Sequence, residues 1–131
     1  MYLVDTNIWL ERLLDQERSD EVGEFLSAVP SDQMGITDFS LHSIGVITSR
    51  LKRPDIFSVF LNDICIEGAV TIISLVPEDL QKLVHSMALY RLDFDDAYQY
   101  TAAAEHGLVL VSFDTDFDRT PVQRMTPGQA R

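Results

Sequence analysis

The sequence predicts an α/β fold, a three-layer sandwich with a central four- or five-stranded parallel sheet flanked by helices. Three observations carry that prediction. Short apolar runs bounded by turn residues alternate with amphipathic helical stretches, with no internal repeat and no low-complexity linker, as in sheets built from strand–helix crossovers. The strand candidates are continuously apolar, the pattern of strands buried in a core. With 131 residues, 46% of them hydrophobic, the chain has the size of one ordinary domain, so residues 1–131 are expected to form a single unit.

The first strand centres on Tyr2-Leu3-Val4 and breaks at Asp5-Thr6-Asn7, where Thr or Asn can cap the following helix. Ile8, Trp9, Leu10, Leu13 and Leu14 then fall at helical spacing, up to a polar stretch from Asp15 to Asp20. Ser19 or Asp20 caps a second helix carrying Val22, Phe25, Leu26 and Val29, which Pro30-Ser31-Asp32 stops. Gln33 to Thr37 is a second strand, and Asp38 to Leu51 a helix leaving its end. Pro54 opens a very apolar helix running through Ile56, Phe60 and Ile64 towards Gly68. Val70 to Leu75 gives the strongest strand signal, β-branched and bounded by Gly68 and Pro77. Pro77 starts a helix, Asp93 to Asp96 caps an alanine-rich one ending at Gly107, Leu108 to Val111 is a strand, and Val122 to Thr126 a last edge strand.

Composition narrows the function. A formal net charge of −11 argues against a surface that grips nucleic acid by charge alone, so a nucleic-acid substrate needs a metal or a partner. The single cysteine, Cys65, excludes an internal disulfide and reads as a small buried hydrophobe. No stretch is long and apolar enough to span a bilayer and no leader precedes the first strand, so a cytoplasmic protein without membrane contact is expected.

Acid gathers where strands end. Asp5 follows the first strand, Asp38 the second, Asp114 and Asp116 the strand at Leu108–Val111, and Asp96 opens a helix that can point at the same edge. In open α/β sheets that edge binds ligands. Carboxylates brought together repel one another unless a hard cation relieves them, and Mg²⁺ or Mn²⁺, which prefer oxygen ligands, activate water against a phosphodiester. Taken singly, each Asp is equally a helix cap.

Val4-Asp5-Thr6-Asn7-Ile8, Phe94-Asp95-Asp96-Ala97 and Leu110-Val111-Ser112-Phe113-Asp114-Thr115-Asp116-Phe117-Asp118, in this order and at these separations, resemble a PIN domain, most closely the VapC-type toxins. The resemblance covers essentially the whole chain. It implies a Mg²⁺- or Mn²⁺-dependent endoribonuclease, the toxin of a type II toxin–antitoxin pair. Metal ligands transfer to Asp5, Asp96 and Asp114, with Asp116 as a further catalytic acid. Thr6 and Asn7 match supporting residues, and Ser112 takes the place of a hydroxyl residue that is usually Thr. It also implies a homodimer, to which the apolar helix from Ile56 to Ile66 points, and a small antitoxin with a basic C-terminal segment.

One position departs from the family: aligning Ile36-Thr37-Asp38-Phe39-Ser40-Leu41-His42-Ser43-Ile44 puts Ser43 where a Glu is usual. Either Asp38 reaches in to replace that charge, or a weaker one-metal site stays active, or catalysis is lost. His42 reads as structural, because an oxygen-rich site does not call for it. Arg50, Lys52 and Arg53 form the one basic cluster; they contact RNA or simply complement a helix C-terminus. Tyr98 and Tyr100 stack on bases or, the better reading, pack. The alternative to a ribonuclease is a weak or inactive PIN scaffold whose acidic cleft binds a basic peptide. An aspartyl-phosphate domain also places Asp at strand ends, but Asn7 and the lack of any Lys beyond Lys82 count against it.

Overall fold

The central strand is the first in the chain. In the computed structural model, which describes residues 1–130, β1 (Tyr2–Val4) pairs in parallel with β2 (Met34–Thr37) on one side and β4 (Val109–Val111) on the other. The edges are β3 (Thr71–Ile73) beside β2 and β5 (Arg124–Met125) beside β4, giving the parallel order β3-β2-β1-β4-β5. All five C-terminal ends therefore open on one edge of the sheet. The register sets Leu3 against Gly35 and Leu110, and Val4 against Val111.

Alternate side chains of β1 enter different layers, as the period of a strand requires. Val4 packs with Ile8, Trp9, Val22, Phe25, Ile44 and Phe60, the layer of α1 (Thr6–Leu13), α2 (Ser19–Ala28), α3 (Asp38–Arg50) and α4 (Pro54–Leu61). Leu3 packs with Leu110, Phe117, Ala102 and Ala103 on the opposite face, under α6 (Phe94–His106). Behind α6, α5 (Pro77–Tyr90) closes over Leu83, Leu92, Ala97 and Tyr98. The small alanines let α6 lie close on the strands. A short α7 (Pro127–Ala130) is the last described helix, and no described helix is long and apolar enough to cross a membrane.

Four local readings change. The strand expected over Val70 to Leu75 shrinks to Thr71–Ile73, an edge strand with Thr71 and Ile72 exposed, because β-branched residues report strand preference rather than burial. The helix from Pro54 leaves α geometry at Leu61 and ends in a π turn, Asn62–Ile66. Gly68 ends it for a steric reason: a Cβ there would lie 2.5 Å from the Asp63 carbonyl oxygen. Arg18, not Ser19 or Asp20, occupies the N-cap of α2 and makes no side-chain cap bond. Cys65 is half-buried rather than buried. The left-handed Gly107 (φ 64°) terminates α6 as expected.

Candidate metal centre

The site grows out of the strand ends. Asp5 keeps its backbone in the sheet, its N–H donating to Val111 O at 2.9 Å, while its side chain turns over the C-terminal edge and caps α1 by accepting from Thr6 N at 2.8 Å. Beyond β4, the chain passes Ser112 and enters a 3₁₀ turn, Thr115–Arg119, which Asp114 caps by accepting from Asp116 N at 2.8 Å. Asp93 caps α6 by accepting from Asp96 N, so the Asp96 carboxylate is free of capping duty. Thr37 caps α3 through Ser40 N, which leaves Asp38 as the first helical residue.

This construction brings Asp96, Asp114 and Asp116 together, with one carboxylate oxygen from each within 4.8 Å of the others, all half-buried. Asp5 lies outside that group but beside it, lining with Asp96 and Asp114 a cleft of about 300 Å³ whose wall includes Thr6, Asn7, Ser43 and Gln99. Asp5 is buried (6% exposed) and dressed in donors. Besides Thr6 N, its Oδ1 accepts from Gln99 Nε2 at 2.9 Å and its Oδ2 from Ser112 Oγ at 2.7 Å. Ser112 Oγ in turn accepts from Asp114 N at 3.0 Å and Asn7 Nδ2 at 3.3 Å, so one hydroxyl ties β1, α1 and the 3₁₀ turn together.

The electrostatics follow. Burial raises the Asp5 carboxyl above its usual range, against the bonds from Ser112, Gln99 and Thr6 that pull it down. Asp96 is pushed up to about 7, first by burial and then by the charges of Asp114, Asp93, Asp5 and Asp116. Among the described residues, the cation paired with the group is Arg119, 3.1 Å from Asp116 and committed also to the Tyr90 and Arg91 carbonyls at the end of α5. Oxygen donors in excess of positive charge suit a hard divalent cation, and these residues fit Mg²⁺ or Mn²⁺.

Other expected residues stand apart. Ser43 reaches the cleft wall, but Asp38 does not: it accepts from Tyr98 Oη at 2.7 Å and from Phe39 N, at the solvent side of α3. Tyr98 packs against Phe39 and Phe94, and Tyr100 against Tyr90. His42 lines a groove between α3 and α4 instead. Arg50, Lys52 and Arg53 lie at the other end of α3, twelve residues or about 18 Å along its axis from Asp38, and Arg53 pairs with Asp55 at 2.9 Å. Sequence reasoning missed Gln99, Ser40 and Thr37. Gln99 was findable: it sits three residues after Asp96, hence on the same face of α6, and is a fully polar residue in a buried, alanine-rich helix.

Comparison with known proteins gives a consistent picture. The family model described as PIN domain matches residues 2–123. No curated protein matches the chain. Among solved structures, a toxin–antitoxin complex from Klebsiella pneumoniae is 25% identical, with a TM-score of 0.77 over 97% of this chain and 98% of that one. VapC20 of Mycobacterium tuberculosis, a Sarcin-Ricin loop cleaving toxin, is 14% identical with a TM-score of 0.82, covering 97% and 100%. VapBC2 from Rickettsia felis, bound to a DNA fragment from their promoter, is 16% identical with a TM-score of 0.74, covering 95% and 97%.

Proposed function

The chain belongs to the PIN domain family, and from that premise we propose that it is a Mg²⁺- or Mn²⁺-dependent endoribonuclease of the VapC type, the toxin of a toxin–antitoxin pair. The observation that carries this reading is the convergence of Asp96, Asp114 and Asp116 at the strand ends, two of which share a cleft with buried Asp5. When bound there, the ion supplies charge neutralisation at the phosphodiester and water activated for in-line attack. The chain's own residues do the rest. Asp96, Asp114 and Asp116 would hold the ion, and Asp5 would reach it from behind them. Ser112 orients Asp5 and fixes the backbone at Asp114, Asn7 holds Ser112 in turn, and Gln99 holds Asp5 from the α6 side. RNA contacts at Arg50, Lys52 and Arg53 would engage a stretch of substrate well away from the scissile bond.

The net charge of −11 sets the partner's chemistry. An acidic cleft repels RNA but draws in a basic segment, and complementary fields raise association rates. We expect a small antitoxin whose basic C-terminal segment folds on binding and directs an Arg or Lys to Asp5, Asp96 and Asp114. A second copy of the chain is expected to cover exposed Val59 and Ile66 of the α4 segment. A monomeric mass at micromolar concentration would remove the dimer from the proposal. The second reading, an inactive scaffold binding a basic peptide, draws on Ser43 in the cleft wall.

The deciding experiment is cleavage of a generic RNA with Mn²⁺, with EDTA, and by Asp114→Asn. Cleavage that needs Mn²⁺ and Asp114 supports the ribonuclease; none in any condition, with a basic peptide still bound, selects the scaffold.

A further inference from the structure

Asp5 has almost no capacity left for a metal. A carboxylate offers about four lone-pair positions, two on each oxygen. Both positions of Oδ1 are filled, by Thr6 N at 2.8 Å and Gln99 Nε2 at 2.9 Å, and one of Oδ2 is filled by Ser112 Oγ at 2.7 Å. One direction on Oδ2 remains.

Gln99 cannot readily turn away. Its Oε1 accepts from Thr37 Oγ1 at 2.7 Å, its Nε2 donates also to Ser40 Oγ at 3.0 Å, and it is 2% exposed. Turning the amide over would lose the Thr37 bond and set Oε1 against a carboxylate. On the Ser43 side of the cleft, Thr6 and Asn7 bring no charge, and Asp95, the remaining acid in the lining, is exposed and outside the group of three.

We propose that this chain's centre is built for one divalent ion, reached by Asp5 through Oδ2 alone, and that the Gln99 amide stands in for a second cation as the fixed partner of Asp5 Oδ1. Gln99 is thus a positioning residue, and α6 supplies both a ligand, Asp96, and this surrogate one turn later. The inference rests on the metal reading above and fixes its stoichiometry.

Calorimetric titration of the whole protein with Mn²⁺, paired with electron paramagnetic resonance, tests it without reference to activity. The wild type should bind one ion per chain and give the spectrum of an isolated Mn²⁺. Gln99→Glu, which keeps the side-chain shape but exchanges the donor for a ligand, should bind two and give an exchange-coupled spectrum. Ser43→Glu, which adds a carboxylate to the cleft and leaves the amide on Asp5, should stay at one. Two ions in the wild type or in Ser43→Glu would overturn the inference, as would a folded Gln99→Glu that still binds one. No ion in the wild type would overturn the metal reading itself, so the two failures are distinct.

Discussion

Asp5 and Asp96 face one cleft and have opposite surroundings. Asp5 is buried and accepts from a backbone N–H, an amide and a hydroxyl; Asp96 is half-buried, receives no hydrogen bond on its carboxylate among the described residues, and has other carboxylates for neighbours. The first is a carboxylate the fold has already satisfied, the second one that it has left in deficit. Hydrogen bonds hold the Asp5 carboxylate in place while repulsion is stored around Asp96, and only the stored repulsion can be released by a ligand.

The largest effect should come from the same isosteric change at each. Asp5→Asn and Asp96→Asn should both lower Mn²⁺-dependent cleavage by at least about 100-fold, since even partners outside the ligand set cost 10- to 100-fold. Their metal-free stabilities should diverge. At Asp5 an amide N–H₂ must face either Thr6 N and Gln99 Nε2 or a Ser112 Oγ that already accepts from Asp114 N and Asn7, so a donor meets donors and about 1–3 kcal/mol is lost. At Asp96 the amide removes a repelled charge and the melting temperature should rise. Melting curves in EDTA check this; equal shifts of the same sign would erase the distinction between the two carboxylates.

Next in size is the response to metal. An ion bound only by the folded state at a hundredfold excess over Kd contributes about 2.7 kcal/mol, roughly 5–10 °C for a chain of this length. Thermal shift with Mn²⁺ should show that gain in the wild type and little of it in Asp5→Asn. A gain that survives in Asp5→Asn would put the ion elsewhere.

The pH dependence should be smaller and should reverse with metal. The Asp96 carboxyl titrates near 7 when folded and near 4 when unfolded, so between these values the folded state holds the extra proton and stability falls as pH rises. Asp5 is raised in the same direction. In EDTA the protein should therefore melt higher at pH 5 than at pH 7.5, whereas in Mn²⁺, whose ligands must be deprotonated, the gain should grow with pH. A melting temperature that rises from pH 5 to 7.5 in EDTA would contradict the repulsion assigned to Asp96.

Most of the fold was legible because it rests on local signals: apolar runs at Leu3-Val4 and Leu110-Val111, Pro54 and Pro77 opening helices, Gly107 closing one. The acids were legible as strand-end residues, but their grouping was not. That Asp116 joins Asp96 and Asp114 while Asp5 stands behind depends on a 3₁₀ turn capped by Asp114, and 3₁₀ turns leave no periodic signature. Gln99 bonds to Thr37 and Asp5 across separations of 62 and 94 residues, which no spacing within one helix reveals. Asp38 looked available because it follows a strand; the fold commits it to Tyr98 instead.

The smallest expected effect returns to the cleft wall. Ser43 lines the cleft with Asp5 and Asp96, and no described residue bonds its side chain, so a Glu there adds charge beside the acids. In a metal-free protein that worsens the repulsion and should lower the melting temperature slightly. With a dication bound, one more carboxylate lining the same cleft adds on the order of 1 kcal/mol at a water-like dielectric, about a fivefold gain in affinity. Ser43→Glu should therefore tighten Mn²⁺ binding and raise cleavage of a generic RNA severalfold, while inhibition by a basic partner segment persists and weakens with salt. Should cleavage fall instead, with metal affinity unchanged, serine is no vacancy: its hydroxyl or the room it leaves is then part of how RNA enters the cleft, and the contrast between a satisfied Asp5 and an unsatisfied Asp96 extends to the wall between them.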